Sequence, residues 1–511
     1  MKRRSQMIRT LNRSLTLPVL LLISAQLIAA QDAPLQSLDD YIAKARADWG
    51  VPGLAIAIVK DDKIVFAKGY GVRKLGDSAP VNERTIFAIG SETKAFTAAA
   101  LALLVDAGKL KWDDPVIKHL KDFQLYDPYV TREITIRDLL CHRSGLDRAD
   151  WLDDGTPFDR DEILRRLRYQ KPAWSFRSRF GYNNQMFIAA GQIIPAVTGK
   201  SWDDFVKERF FAPLGMTSSS TSITALKNFD NVAMPHAKSE GEVRPIAWAL
   251  IDNSGPCGSI NSSVVDMAQW LRLQLGQGSY GDQKLLSLGA IEEMRTPQMT
   301  VPLEAGMPDA NFLSYGLGWF LHDYHGRKAI THGGNVSGMV ASLGMIPEEK
   351  LGVAILSNLS TGNILPEALL YRVFDAYLGL PAQDWSARKL ALLRILQARQ
   401  KTAAAQAEAA RVKNTKTSLP LTAYAGTYRS DLYGTVKVTE EQGLLRLSYS
   451  TPISGTLEHW HYDTFHIKWA ASGTGDAFVT FTLNAQGKVD EMKVQNFDDF
   501  KRVPERAPAV K

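Results

Sequence analysis

Phe87-Ala88-Ile89-Gly90-Ser91-Glu92-Thr93-Lys94, continued by Ala95-Phe96-Thr97-Ala98-Ala99-Ala100-Leu101-Ala102-Leu103-Leu104-Val105, is the stretch from which the rest of the chain is read. The continuation holds good helix formers, no glycine and no proline, and is apolar on almost every face. It therefore predicts a helix buried on all sides. Ser91 and Lys94 stand at its start, three apart and so on one helical face. Burying a lysine strips water from its ammonium and favours the neutral amine, the form able to take a proton from a serine hydroxyl. The pattern is weak without that context, because Ser386-Ala387-Arg388-Lys389 repeats it. That copy opens a charged helix, where the lysine is expected to stay solvated and to carry no chemistry.

Working outward, the hairpin pattern of 54–59 and 64–67 precedes this helix, and a helical pattern at 38–49 precedes the hairpin. Far downstream, 339–346 and 351–356 read as a second hairpin, followed by a helix at 367–377. Hairpins near both ends predict one antiparallel sheet with flanking helices, and the mostly helical 113–278 forms a lobe beside it. A solvated helical linker is expected at 386–418. Beyond it, short strands at 435–439, 444–449, 465–469, 478–483 and 489–494 predict a small antiparallel β-barrel or sandwich over 419–505.

The chain has 511 residues, more than one ordinary core requires, and its 45% hydrophobic and 22% charged residues are those of a globular protein. Its formal charge of +6 includes Lys2, Arg3, Arg4, Arg9 and Arg13 with no acid in the first thirty residues, which leaves +1 for the remainder. No nucleic-acid partner is implied. Residues 1–30 read as a secretory signal cleaved after Ala30, with a basic start and an apolar run too short for a membrane span, so a secreted or periplasmic product without a stable span is expected. The only cysteines, Cys141 and Cys257, permit a disulfide in an oxidising compartment but do not demand one. No Gly-x-Ser-x-Gly, His-Glu-x-x-His or Cys-x-x-Cys occurs, so neither metal nor cofactor is expected.

A serine with a lysine still needs a proton path, donors for an oxyanion and a means of placing substrate. Two stretches offer them: Tyr182-Asn183-Asn184, and Thr331-His332-Gly333-Gly334-Asn335. Singly, Tyr182 reads as a core aromatic and Gly333-Gly334 as a turn. In order and together, Ser-x-x-Lys, Tyr-x-Asn and His-Gly-Gly resemble the three motifs of the serine β-lactamase and penicillin-recognising family. The tyrosine in the second motif is similar to the branch of class C enzymes, D-alanyl-D-alanine carboxypeptidases, esterases and D-aminopeptidases. Residues 134–146, 212–216 and 315–319 resemble further landmarks, so the similarity covers about 38–377.

The resemblance implies an α/β (α+β) hydrolase domain at 31–385 with the β-lactamase/transpeptidase-like fold. Ser91 would be acylated, with Lys94 and Tyr182 as linked base and acid. Asn184 would orient Lys94 and the substrate amide. The N–H groups of Ser91 and Asn335 would hold the oxyanion, and His332, Gly333, Gly334 and Asn335 would line the substrate. His142 would be structural. The substrate would be a small peptide amide or ester; a non-catalytic protein of the same fold that binds peptides or peptidoglycan fragments, or a true class C-like β-lactamase, are the alternatives. Residues 419–503 are similar to the lipocalin-like domain of some β-lactamase-related serine peptidases, which would bind a ligand, restrict access or assemble a homo-oligomer, the last being preferred. Where the family typically has Lys-Thr-Gly, this chain has His332-Gly333-Gly334, which lacks the hydroxyl and makes the cation conditional. β-Lactams are therefore expected to be poor substrates, with carboxylate-bearing substrates gaining as His332 protonates toward pH 6.

Overall fold

Two residues with positive φ, Asp61 (48°) and Asp62 (62°), turn the chain between β1 (Gly53–Lys60) and β2 (Lys63–Gly71); short polar side chains tolerate that conformation best. The computed structural model describes residues 35–239, 241–303, 310–360, 364–450, 453–470 and 477–504. The expected signal at 1–30 lies outside the described residues. The hairpin edges an antiparallel sheet completed by β3 (Met299–Val301), β4 (Leu313–Tyr315), β5 (Phe320–Tyr324), β6 (Arg327–Val336), β7 (Met339–Ile346) and β8 (Leu351–Ser357). Its order is β2-β1-β8-β7-β6-β5-β4-β3. The two ends of the domain meet where β1 pairs with β8, Leu54 opposite Ser357 and Lys60 opposite Leu351.

Both faces are covered, which is why every residue of β7 and β8 is buried. Leu54, Ile56 and Ile58 of β1 face helix α1 (35–48) and a late helix, whereas Ala55, Ala57 and Val59 face the helical lobe. That lobe carries α2 (Thr93–Asp106), α3 (Asn184–Thr198) and α4 (Val264–Leu275). The late helix is α5 (Ile364–Leu378). Residues Thr93 through Leu104 of α2 are all buried, as its sequence requires. The four strands from β3 to β6 are not anticipated by the sequence pattern, and they place Gly333-Gly334 inside a strand and not in a turn. Cys141 and Cys257 are free and buried.

Helix α6 (Trp385–Ala410) leads from this domain to a second one. Its Lys389, expected to be solvated, is 6% exposed and pairs with Glu367 at 2.8 Å. The C-terminal domain is a closed antiparallel barrel of eight strands in sequential order, β9 (Gly426–Ser430), β10 (Gly434–Glu441), β11 (Leu444–Ser448), β12 (Ser454–His461), β13 (Thr464–Trp469), β14 (Ala477–Leu483), β15 (Val489–Val494) and β16 (Asp498–Arg502). Tyr428, Val436, Leu445, Leu457, Phe465, Val479, Phe481, Met492 and Phe500 pack together as its core. The barrel leans on the segment after residue 147: Arg166 donates to the carbonyls of Asp431 and Leu432, both at 3.1 Å, and Trp151 packs against Trp469 and Phe497.

Candidate active site

Gly90, at φ +52°, turns the chain from the short strand Phe87–Ala88, which pairs with Asn261–Ser262, into the helical segment Gly90–Glu92 that holds Ser91. Strand β6 crosses so close that a Cβ on Gly90 would stand 2.6 Å from the Asn335 nitrogen, and one on Gly334 would stand 1.8 Å from the Ile89 carbonyl oxygen and 3.2 Å from the Ser91 nitrogen. Only glycine fits these positions, and the result brings the backbone nitrogens of Ser91 and Asn335 to neighbouring points.

Lys94, one turn along, is fully buried. Its Nζ reaches the Ser91 hydroxyl at 3.0 Å, Asn184 Oδ1 at 2.8 Å and the Cys257 carbonyl at 2.8 Å. All three acceptors are neutral. Asn184 begins α3 behind the Asn183 cap, and its amide orientation is fixed from both ends, because its Nδ2 donates to Asp150 Oδ1 at 2.9 Å. Asp150 in turn accepts from Arg148 Nε at 2.6 Å. The Cys257 carbonyl is held by the one-turn helix Gly255–Gly258, whose Pro256 carbonyl accepts from Thr97 of α2 at 2.6 Å.

Tyr182 presents its ring to this amine, with Lys94 Nζ 4.9 Å from the centroid, while His142 stacks on the ring at 4.1 Å and the Arg148 guanidinium carbon stands 5.0 Å from it. The Tyr182 hydroxyl has no hydrogen-bond partner among the described residues. His142 is fully buried, and burial holds it well below its ordinary pKa. Its Nδ1 accepts from the Asn183 N–H at 3.1 Å, which leaves the proton on Nε2. It thus shapes the turn that carries Tyr182.

The third stretch departs from the sequence-based expectation. His332 is 2% exposed, with Nε2 2.9 Å from the Tyr315 hydroxyl and Nδ1 2.7 Å from the Gly333 carbonyl. A carbonyl only accepts, so Nδ1 carries the proton and Nε2 accepts from Tyr315. Burial, and then the Lys94 charge, push its pKa down to about 3. A cation that appears near pH 6 is therefore not available at this position.

Comparison with known proteins matches residues 38–378 to the Beta-lactamase family and residues 410–505 to a domain of unknown function, DUF3471. The chain belongs to the Beta-lactamase family. It is 30% identical over 467 residues to Unguisins hydrolase ungD of Aspergillus violaceofuscus, covering 83% of this chain and 81% of that protein. It is 31% identical over 327 residues to Penicillin-binding protein 4 of Amycolatopsis lactamdurans, covering 61% and 82%. Among solved structures, the octameric penicillin-binding protein homologue from Pyrococcus abyssi superimposes with a TM-score of 0.61 at 25% identity, over 91% of this chain and 100% of that one. The chain is thus a serine hydrolase of the β-lactamase fold, followed by a β-barrel.

In this member of the family, Ser91, Asn184 and Asn335 line a groove of about 440 Å³. Ala237, Ile246, Ala249, Ile251 and Val336 give it apolar surface, and Arg148, Asp150, Asp153 and Asp154 give it polar surface. Asp153 is 4% exposed, and burial raises its carboxyl to about 7 even though Ser254 and Gln185 both donate to it. Sequence reasoning missed Arg148, Asp150 and Asp153. Their only sign is the charge density of Asp147-Arg148-Ala149-Asp150-Trp151-Leu152-Asp153-Asp154 between two motifs.

Proposed function

We propose that this protein hydrolyses amide or ester bonds of short peptides or small esters through an acyl-enzyme on Ser91, outside the cytoplasm, and that β-lactams are poor substrates. The observation that carries this reading is the fully buried Lys94 amine 3.0 Å from the Ser91 hydroxyl, with only neutral acceptors around it. In this reading Lys94 takes the Ser91 proton as Oγ bonds to the carbonyl carbon. The N–H groups of Ser91 and Asn335 receive the oxyanion. Tyr182 relays a proton to the departing nitrogen or oxygen as its bond to carbon breaks, and water then releases the acid by the reverse sequence. A relative named as a hydrolase over 83% of this chain supports the same direction. The disfavour toward β-lactams follows from the third stretch, where Gly333 has no hydroxyl and His332 is neutral.

A binding protein with a spent site is the rival reading. An activated fluorophosphonate should label the wild type, and Ser91→Ala, which changes little packing, should abolish both labelling and turnover while leaving the thermal melt unchanged. Absence of labelling in the wild type would refute the hydrolase reading.

A further inference from the structure

With His332 neutral and Lys94 committed to three acceptors, the groove's third stretch and its buried amine leave no cation for an anionic substrate group. Two cations line the groove, Arg148 and Lys238. Lys238 is exposed on the small hairpin His236–Ser239 with Glu242–Pro245. Arg148 is held in a fixed pose. Asp150 grips its Nε at 2.6 Å, its guanidinium lies 5.0 Å from the Tyr182 ring centroid, and its side chain is 53% exposed. Both η nitrogens lack partners among the described residues. A guanidinium fixed through Nε presents its remaining N–H pair as a planar fork, the shape that binds a carboxylate through two parallel hydrogen bonds. Arg148 also lines the cleft of about 1050 Å³ between the hydrolase domain and the barrel, so the fork stands where the two spaces meet.

We propose that Arg148 is the specificity-determining residue of this groove and anchors a carboxylate of the substrate close to the scissile bond from the helical-lobe side, a position distinct from the third stretch on β6. The proposal rests on the serine-hydrolase reading and names its substrate class: short peptides or esters that carry an acidic group beside the reacting carbonyl. The alternative, that Arg148 serves only to steady Asp150 and through it Asn184, predicts equal losses for acidic and neutral substrates.

Two isosteric pairs of chromogenic substrates test it: Asp against Asn on the acyl side of the scissile bond, and a free terminal carboxylate against its amide on the leaving-group side. The wild type should favour the acidic member of one pair in kcat/KM. Arg148→Gln should cut that preference ~10- to 100-fold, the usual value of a charge-assisted hydrogen bond, over and above any loss common to both members. Arg148→Lys, with the charge but not the fork, should restore part of it. A wild type indifferent to the acid in both pairs, or a preference unchanged in Arg148→Gln, overturns the proposal. Fluorophosphonate labelling of Ser91 in the same preparations keeps the two readings apart: labelling without acid preference sinks the anchor and leaves the hydrolase standing.

Discussion

Replacing Gly334 by alanine is the sharpest perturbation of the machinery that leaves every side chain in place. The added Cβ would sit 1.8 Å from the Ile89 carbonyl oxygen and 2.8 Å from its carbon, both backbone atoms that no rotamer change can move. Contacts of a real Cβ stay beyond 3.0 Å, so β6 and the Ile89–Ser91 segment must part by at least 3.0 − 1.8 = 1.2 Å. That opening falls between the Ser91 and Asn335 nitrogens. A misplacement of about 1 Å at a catalytic centre costs ~10²-fold, and loss of one oxyanion donor ~10²- to 10³-fold, so kcat should fall within that range. Overpacking of this kind also costs ~1–3 kcal/mol of stability, which a large two-domain chain tolerates. The assay is kcat on a neutral p-nitrophenyl ester, with circular dichroism and a thermal melt to show that the variant is folded. Gly289→Ala is the control, since the nearest atom to its Cβ, the Ser287 hydroxyl, lies at 3.9 Å. A folded Gly334→Ala with wild-type kcat would refute the assignment of the oxyanion donors.

Lys94→Ala and Tyr182→Phe should each lower kcat on the order of 10²-fold or more, and a wild-type rate in Lys94→Ala at neutral pH would remove lysine from the mechanism. Asp153 makes a stability prediction. Its folded value of about 7 lies above the 3.8 of an ordinary aspartate, so the folded state binds the proton more tightly. Its contribution is fully present below about pH 4 and is lost as pH rises through about 7. The melting temperature of the wild type should therefore fall more steeply between pH 5 and pH 8 than that of Asp153→Asn, which does not titrate. Parallel curves for the two proteins would show that Asp153 does not carry the slope.

Much of the fold was legible because its signals are local. The α2 run, the two hairpins and five of the barrel strands announce themselves through apolar spacing alone. The strands that were missed lack that signal for identifiable reasons. In β16, Asp498-Asp499-Phe500-Lys501-Arg502, a single inward residue, Phe500, is buried, and one apolar residue makes no alternation. β6 contains Gly333-Gly334, which local propensity assigns to a turn; the strand forms because it pairs with β7, Gly333 opposite Ser342 and Gly334 opposite Ala341, and Ile89 passes so close that position 334 requires glycine. The neutral state of His332 depends on Tyr315 and Phe320 enclosing it from other strands, with Tyr182 from the lobe, contacts that no local pattern reveals.

The two Ser-x-x-Lys copies show most directly where sequence-level inference falls short. Exposure was expected to separate them, yet Lys94 and Lys389 are both buried. What separates them is the charge of their partners. Lys389 meets the Glu367 carboxylate at 2.8 Å, which stabilises an ammonium, and the hydroxyl of its Ser386 is occupied by the Trp49 indole N–H at 3.0 Å. Lys94 meets a hydroxyl, an amide oxygen and a peptide carbonyl, none of them a carboxylate. A lysine can act as a base when it is buried among dipoles, and it is locked as a cation when it is buried against a carboxylate. The difference resides in Asn184 and Cys257 against Glu367, residues far from either motif in the chain, and so it becomes visible only once the chain is folded.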